Sequence, residues 1–129
     1  MLRPGLEASV DQTVTEEMTA TALGSGDVPV LGTSAVLALV ERAACAAVDG
    51  RLEPGRTSVG SSVDLTHLAP TPVGARVTAT ARLLDVEGRT LTFEFEVRDP
   101  GGAIARGTHR RVVVDRERFA SGAAQRISS

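Results

Sequence analysis

Apolar and polar residues alternate through most of the second half of the chain. Residues 57 to 67 predict a strand with Val59, Val63, Leu65 and His67 on one face. Pro70 and Pro72 follow as its terminators. "ARVTATARLLDV", 75 to 86, predicts a second long strand, and "EGR", 87 to 89, a short turn. In "TLTFEFEV" Leu91, Phe93, Phe95 and Val97 face one way, and Thr92, Glu94 and Glu96 the other. "DPGG", 99 to 102, is a turn signal before a last strand over 103 to 114. Links this short imply antiparallel hairpins.

Upstream the period changes. "TSAVLALVERAACAAVDG", 33 to 50, is the one strong helix pattern, with Thr33 or Ser34 to cap it and Gly50 to stop it. Between Ala35 and Val48 only Glu41 and Arg42 are charged, which predicts a helix buried on most sides. Residues 6 to 15 predict a weaker strand, "GSGDVP", 24 to 29, a loop, and "SGAAQRISS" a frayed tail from about residue 120 to 129. The order is strand, helix, four strands. It predicts one α+β domain over 1–129, a sheet of about five strands curled around one helix.

Composition narrows the function classes. There is no Trp or Tyr and there are three Phe, so Ala, Val and Leu must fill the core. The net charge of −2 and the lack of stacking aromatics argue against a nucleic-acid binder. All fourteen basic residues are Arg, which suits phosphate and carboxylate but is also what a GC-rich coding sequence produces. One cysteine, Cys45, rules out an internal disulfide, and two separated histidines make a metal site unexpected. The first ten residues carry no signal-peptide run and no segment reaches membrane-span length, so a cytoplasmic protein without a membrane partner is expected.

Few polar groups lie on the apolar elements. Glu41 sits mid-helix; a buried carboxylate holds its proton to higher pH and can serve as a general base, or it can form a structural ion pair with an Arg. His67 points with the apolar face of its strand, where a hydrogen-bonded core histidine is the plain reading. Thr33 begins the helix as a cap, or as a hydroxyl beside free N–H groups suited to a carbonyl oxygen. On a straight helix Thr33 and Glu41 lie about 12 Å apart along the axis. His109 and Arg111 share a strand face with Gly107 and Val113, with Arg110 opposite. Gly60 and Gly107 lie inside strands, where glycine marks a bulge or a close approach of backbone.

Four segments, "GTSAVLALVERAA" (32–44), "SVGSSVDLTHLAPTPVG" (58–74), "VEGRTLTFEFEVRD" (86–99) and "GTHRR" (107–111), together span about residues 32 to 114. The chain resembles the hotdog-fold acyl-CoA thioesterases, in the branch that includes the fluoroacetyl-CoA thioesterase. The resemblance implies a long helix wrapped by an antiparallel sheet, a homodimer with its sites near the interface, and cleavage of acyl-CoA thioesters without a cofactor. It implies catalytic roles for Thr33, Glu41 and His67. It maps an active-site glycine onto Gly60 and an arginine after the Thr-His pair onto Arg111, which is the best candidate to meet the coenzyme A phosphates; His109, on the same strand face, is taken as a further substrate contact. One departure stands out: the segment before Thr33, "LGSGDVPVLG", lacks the aromatic residue of the fluoro-selective lid. Hydrolysis of a small or medium acyl-CoA is therefore expected, with the acyl group open. A non-catalytic acyl-binding module is the alternative. An enoyl hydratase would need a close Asp/His pair, which is absent from any one segment.

Overall fold

Small and β-branched residues at alternate positions bury one face of five strands, and the helix closes over that face. The structure, a computed structural model, describes residues 1–128. The strands are β1 (Glu7–Thr13), β2 (Arg56–His67), β3 (Arg76–Glu87), β4 (Thr90–Asp99) and β5 (Gly102–Asp115). They form one antiparallel sheet in the order β1-β3-β4-β5-β2. A short 3-10 turn (Glu16–Met18) and α1 (Ala20–Leu23) precede the long helix α2 (Thr33–Ala47), and α3 (Arg116–Ile127) ends the chain.

The α+β class, the central helix and the order of strands agree with the sequence reading. Helix α2 links the two edge strands and lies chiefly over β1 and β3. Val36, Leu39, Val40, Ala43 and Ala44 bury its lower face against Val77, Ala79, Ala81, Leu83, Leu91 and Phe93. Alanine at the contact lets helix and sheet approach closely without aromatic filling. The other face of α2 is less covered than expected: Ala38, Arg42, Cys45 and Ala46 are exposed.

Three details correct the sequence reading. First, a bulge between Gly60 and Ser62 inserts one extra residue into β2, so the period of two breaks there. Gly60 pairs with Arg111 and Ser58 with Val113, on the inner side, while Val59 pairs with Val112 and faces outward. Val63, Leu65 and His67 keep the inner face, opposite His109, Gly107 and Ala105. Second, the N-cap of α2 is Gly32, with no side-chain cap bond; Thr33 is the first helical residue, so its hydroxyl is free for other work. The helix ends at Ala47, and Gly50 turns the chain beyond it at φ 73°. Third, residues 116–127 are helical. Asp115 accepts from the Arg118 N–H at 2.9 Å, Glu117 lies in the first turn and Arg126 in the last, which suits the helix dipole. No residue of α3 is buried, so the apolar periodicity that betrays most helices is missing. Ser129, the end of the predicted tail, lies outside the described residues.

Residues 14–32 anchor the start of α2 beside the end of β2. Gly32 N–H donates to Met18 O (2.8 Å), Ala20 N–H to Val30 O (2.9 Å) and Leu31 N–H to Thr71 O (2.9 Å). Thr71 is itself buried and donates to Asp99 Oδ2 (2.8 Å). The helix start and the loop after His67 are thereby fixed to each other.

Candidate active site

The inner faces of β2 and β5 and the exposed side of α2 carry the candidate residues, in two groups. At the N-terminus of α2, Thr33 Oγ1 lies 2.9 Å from His67 Nδ1. Burial pushes the His67 imidazole below its ordinary value of 6.5, with a backbone contact at Ala69 pulling the other way. The ring is therefore neutral near pH 7, and its Nε2 is buried without a partner among the described residues. In the tautomer with its proton on Nδ1 the neutral ring donates to Thr33 Oγ1, which leaves the hydroxyl proton to meet a carbonyl oxygen. Ala35 N–H donates to Gly32 O at 3.1 Å, so Thr33 and Ser34 supply the first-turn amides of α2 that have no intrahelical carbonyl to bond. An open recess of about 620 Å³ adjoins Thr33 and His67, walled by Val30, Leu31, Leu68 and Pro70.

The second group forms lower on the helix. Arg111 is 6% exposed. Its Nε donates to Ser58 Oγ (2.9 Å), its Nη2 to Ser58 O (3.0 Å) and its Nη1 to Glu41 Oε2 (3.3 Å). Nη1 also reaches His109 Nε2 at 3.1 Å. His109 Nδ1 is 2.8 Å from Ser62 O, which can only accept, so the proton sits on Nδ1 and Nε2 accepts from Arg111. Burial first, then the Arg111 charge, hold His109 below its ordinary value of 6.5; the Ser62 bond and Glu41 oppose them. Its ring stacks on Phe93 with centroids 6.3 Å apart.

Glu41 is not buried as expected: its side chain is 41% exposed, resting on the buried guanidinium. In one chain the ion-pair reading of Glu41 holds, with Arg111 at 3.3 Å and His109 Nε2 at 3.9 Å. Those are its only ion pairs among the described residues, and neither is with His67. The 26-residue spacing of Glu41 and His67 thus does not become a contact within one chain, and α2 runs straight from Thr33 past Glu41, so the gap of about 12 Å stands. His109 and Arg111, taken from the sequence as substrate contacts, lie beneath Glu41 and shape its surroundings. Ser58, missed in the sequence, holds the arginine through its hydroxyl and carbonyl, and its signal was a polar residue two before Gly60; the histidine is held by the Ser62 backbone carbonyl, which no residue type signals.

Gly60 is placed by the bulge directly beneath Glu41. A Cβ there would stand 2.5 Å from Glu41 Oε2 and 3.3 Å from His109 Cε1. The first of these is the end of a flexible side chain, so Gly60→Ala should fold but displace the carboxylate. The expected loss in kcat/KM is about tenfold to a hundredfold, with an unfolding midpoint close to wild type. Wild-type kinetics would show that the position of this carboxylate is not critical.

Both histidines also tie stability to pH. Their folded-state affinities for protons are lowered, so below 6.5 the unfolded chain binds more protons than the folded one. Stability is complete above that value and falls as pH drops through the lowered folded values, starting above the range where carboxylates titrate. Melting scans from pH 7.5 to 5 should show Tm falling from about 6.5 downward. His109→Asn should flatten that slope, and a slope identical to wild type would exclude His109 as its source.

Known proteins share the fold and part of the sequence. Residues 14–117 match the family model described as fluoroacetyl-CoA-specific thioesterase (FlK). The chain belongs to the fluoroacetyl-CoA-specific thioesterase family. A curated relative, the fluoroacetyl-CoA thioesterase of Streptantibioticus cattleyicolor, is 41% identical over 90 residues, 70% of this chain and 65% of that protein. The chain thus matches slightly under two thirds of the length of that relative. A solved FlK variant in complex with acetyl-CoA superposes with a TM-score of 0.91 at 32% identity, covering 98% of this chain and 100% of that one. A hot-dog-like protein from Thermanaerovibrio acidaminovorans superposes with a TM-score of 0.91 at 27% identity, over 99% and 95% of the two chains. The hotdog fold read from the sequence is thus the fold of this family member. No helix among the described residues is long and apolar enough to cross a membrane.

Proposed function

We propose that the protein hydrolyses a small or medium acyl-CoA thioester to the free acid and coenzyme A. The observation that carries this reading is the 2.9 Å contact between Thr33 Oγ1 and a neutral His67 at the mouth of an apolar recess. Membership of a thioesterase family and likeness to a protein solved with acetyl-CoA support it. The thioester carbonyl oxygen would lie against the Thr33 hydroxyl and the first-turn amides of α2, where the helix dipole favours developing negative charge. Water adds to the carbonyl carbon and gives up a proton to a carboxylate, the C–S bond breaks, and the coenzyme A thiolate leaves and is protonated. Glu41 is the carboxylate available.

The spacing of about 12 Å prevents Thr33 and Glu41 of one chain from meeting at one carbonyl. We therefore read the site as completed by a second copy. Strand β2 is a twelve-residue edge with no neighbour on its outer side, and an edge of that length invites pairing. On its inner face Val63 is 39% exposed, because α2 covers β1 and β3 instead. Antiparallel pairing of two such edges covers this face and brings Glu41 of the partner subunit toward Thr33 and His67. The recess walls of Val30, Leu31, Leu68 and Pro70 suit an aliphatic acyl group, and the lack of an aromatic residue in 23–32 gives no support to selection for fluoroacetate.

Release of free thiol from acetyl-, butyryl-, hexanoyl- and fluoroacetyl-CoA tests the reading. Turnover of an unfluorinated ester at least as fast as that of fluoroacetyl-CoA is expected, from a dimer in light scattering. Ligand-induced thermal shifts without thiol release would instead identify a non-catalytic acyl-binding module. A stable monomer at micromolar concentration would remove the shared site.

A further inference from the structure

The burial of Arg111 removes the one cation of the active site from contact with phosphate, yet cations are concentrated elsewhere. A cleft of about 600 Å³ between α3 and the end of the sheet is lined by Arg56, Arg89, Arg118 and Arg126. Four of the fourteen arginines thus face one cleft in a chain of net charge −2. The ion pairs and side-chain hydrogen bonds of the described residues engage other arginines: Arg42, Arg76, Arg82, Arg98 and Arg111. The cleft contains a single carboxylate, Asp115, and this already caps α3 through the Arg118 N–H. Four guanidiniums held around one carboxylate still repel one another, and a multiply charged anion relieves that repulsion through bidentate bonds.

The cleft also holds a ring. Phe119 is 50% exposed, whereas Phe93 and Phe95 are 0% and 5% exposed in the core. A half-exposed phenyl among guanidiniums supplies a stacking face for a flat heterocycle. The wall at Gly122 carries no side chain, and a Cβ there would meet nothing within 4 Å, so the space beside the ring is open. Helix α3 contributes no buried residue to the core, so its place beside the sheet does not come from burying an apolar stripe. It forms one wall of this cleft.

We propose that this cleft binds a nucleotide carrying two or more phosphates, and that its occupant is the nucleotide end of coenzyme A. The choice of coenzyme A rests on the thioesterase reading; the nucleotide chemistry does not. Arg56 lies four residues before Gly60 on β2, about 13 Å along the strand. In the site shared between two copies the pantetheine arm would run from the cleft of the subunit that supplies Glu41 to the thioester at Thr33 and His67 of the other, with its nucleotide end outside the reaction site.

Calorimetry with 3′-phosphoadenosine 5′-phosphate and with ATP, on wild type and on the Arg118→Ala/Arg126→Ala double variant, tests the cleft without any turnover. Binding to wild type should weaken with added salt and fall about tenfold or more in the variant, whose melting curve should stay near wild type because both side chains are exposed. Kinetics then separate the sources. For a coenzyme A site the variant raises KM for acyl-CoA and leaves the acyl-pantetheine thioester unaffected. Lost nucleotide binding with an unchanged acyl-CoA KM would keep the nucleotide site and overturn coenzyme A as its occupant. Failure of wild type to bind either nucleotide, or equal binding by the variant, would overturn the proposal. Binding by a protein that hydrolyses no thioester would refute the thioesterase reading alone.

Discussion

Glu41→Gln is expected to lower kcat against the best acyl-CoA by about a hundredfold to ten-thousandfold, the range for loss of a general base, while KM changes little. The amide keeps the size of the carboxylate and can still accept from Arg111 Nη1, but it cannot take a proton. Arg111 also retains its bonds to Ser58 and His109, so the buried guanidinium stays held. The cost to stability should be at most about 1 kcal/mol, because one bond to a half-exposed carboxylate is weakened while the guanidinium keeps its other partners. The fall in rate and the fall in stability are thus separable in one variant. Wild-type turnover by Glu41→Gln would leave this residue only its structural ion pair. Mixing Glu41→Gln chains with Thr33→Ala chains adds a second readout. If the site is shared between copies, each mixed dimer regains one working site; half of the dimers in an equal mixture are mixed, so activity should return toward about a quarter of the wild-type value.

Gly107→Ala should have the largest effect on the fold. A Cβ at this position would run into the backbone carbonyl of Asp64 and stand 2.9 Å from the Phe95 ring. Unlike the carboxylate above Gly60, a strand carbonyl cannot swing aside. Either β2 lifts from β5 around the Leu65–Gly107 pair, or Phe95 shifts in the core. Overpacking of this kind costs about 1–3 kcal/mol, and more where backbone must move. Because β2 is an edge strand, the ladder opens more easily than the core repacks. Faster hydrogen exchange at Val63 to His67, a lowered denaturation midpoint and loss of activity through His67 should appear together. An unchanged midpoint would mean that β2 has more freedom here than its pairing suggests. The two strand glycines therefore act differently: Gly60 makes room for a functional group, and Gly107 lets two strands pass.

Most of the frame was legible because its signals are local. Period-two runs with Gly88 and the "DPGG" turn located β3, β4 and β5, and the nearly uncharged stretch after Gly32 located α2. Thr33 and His67 do meet, and Gly60 does lie at a bulge with a close neighbour. What escaped had no local signature. A bulge adds one residue without changing composition, so Val59 was given the wrong face. Helix α3 has no apolar stripe; only its Asp115 cap, its alanines and its end charges marked it. The burial of Arg111 and His109 arises from the pairing of β5 with β2 across some fifty residues, a contact that no spacing along the chain encodes.

The bulge in β2 also bears on how this chain can change over time. Replacing a side chain near Gly60 alters one contact. Removing Ser61 would take out the extra residue, and Gly60 and Ser62 would follow each other opposite Arg111 and Arg110 with every face unchanged. Removing or inserting a residue elsewhere in the strand while the bulge stays would instead rotate one side by one face, turning Val59 inward under Glu41 and Gly60 to solvent. The constraint is thus on counting as much as on chemistry: descendants can vary the letters around the site more freely than the number of residues in this strand, except at Ser61.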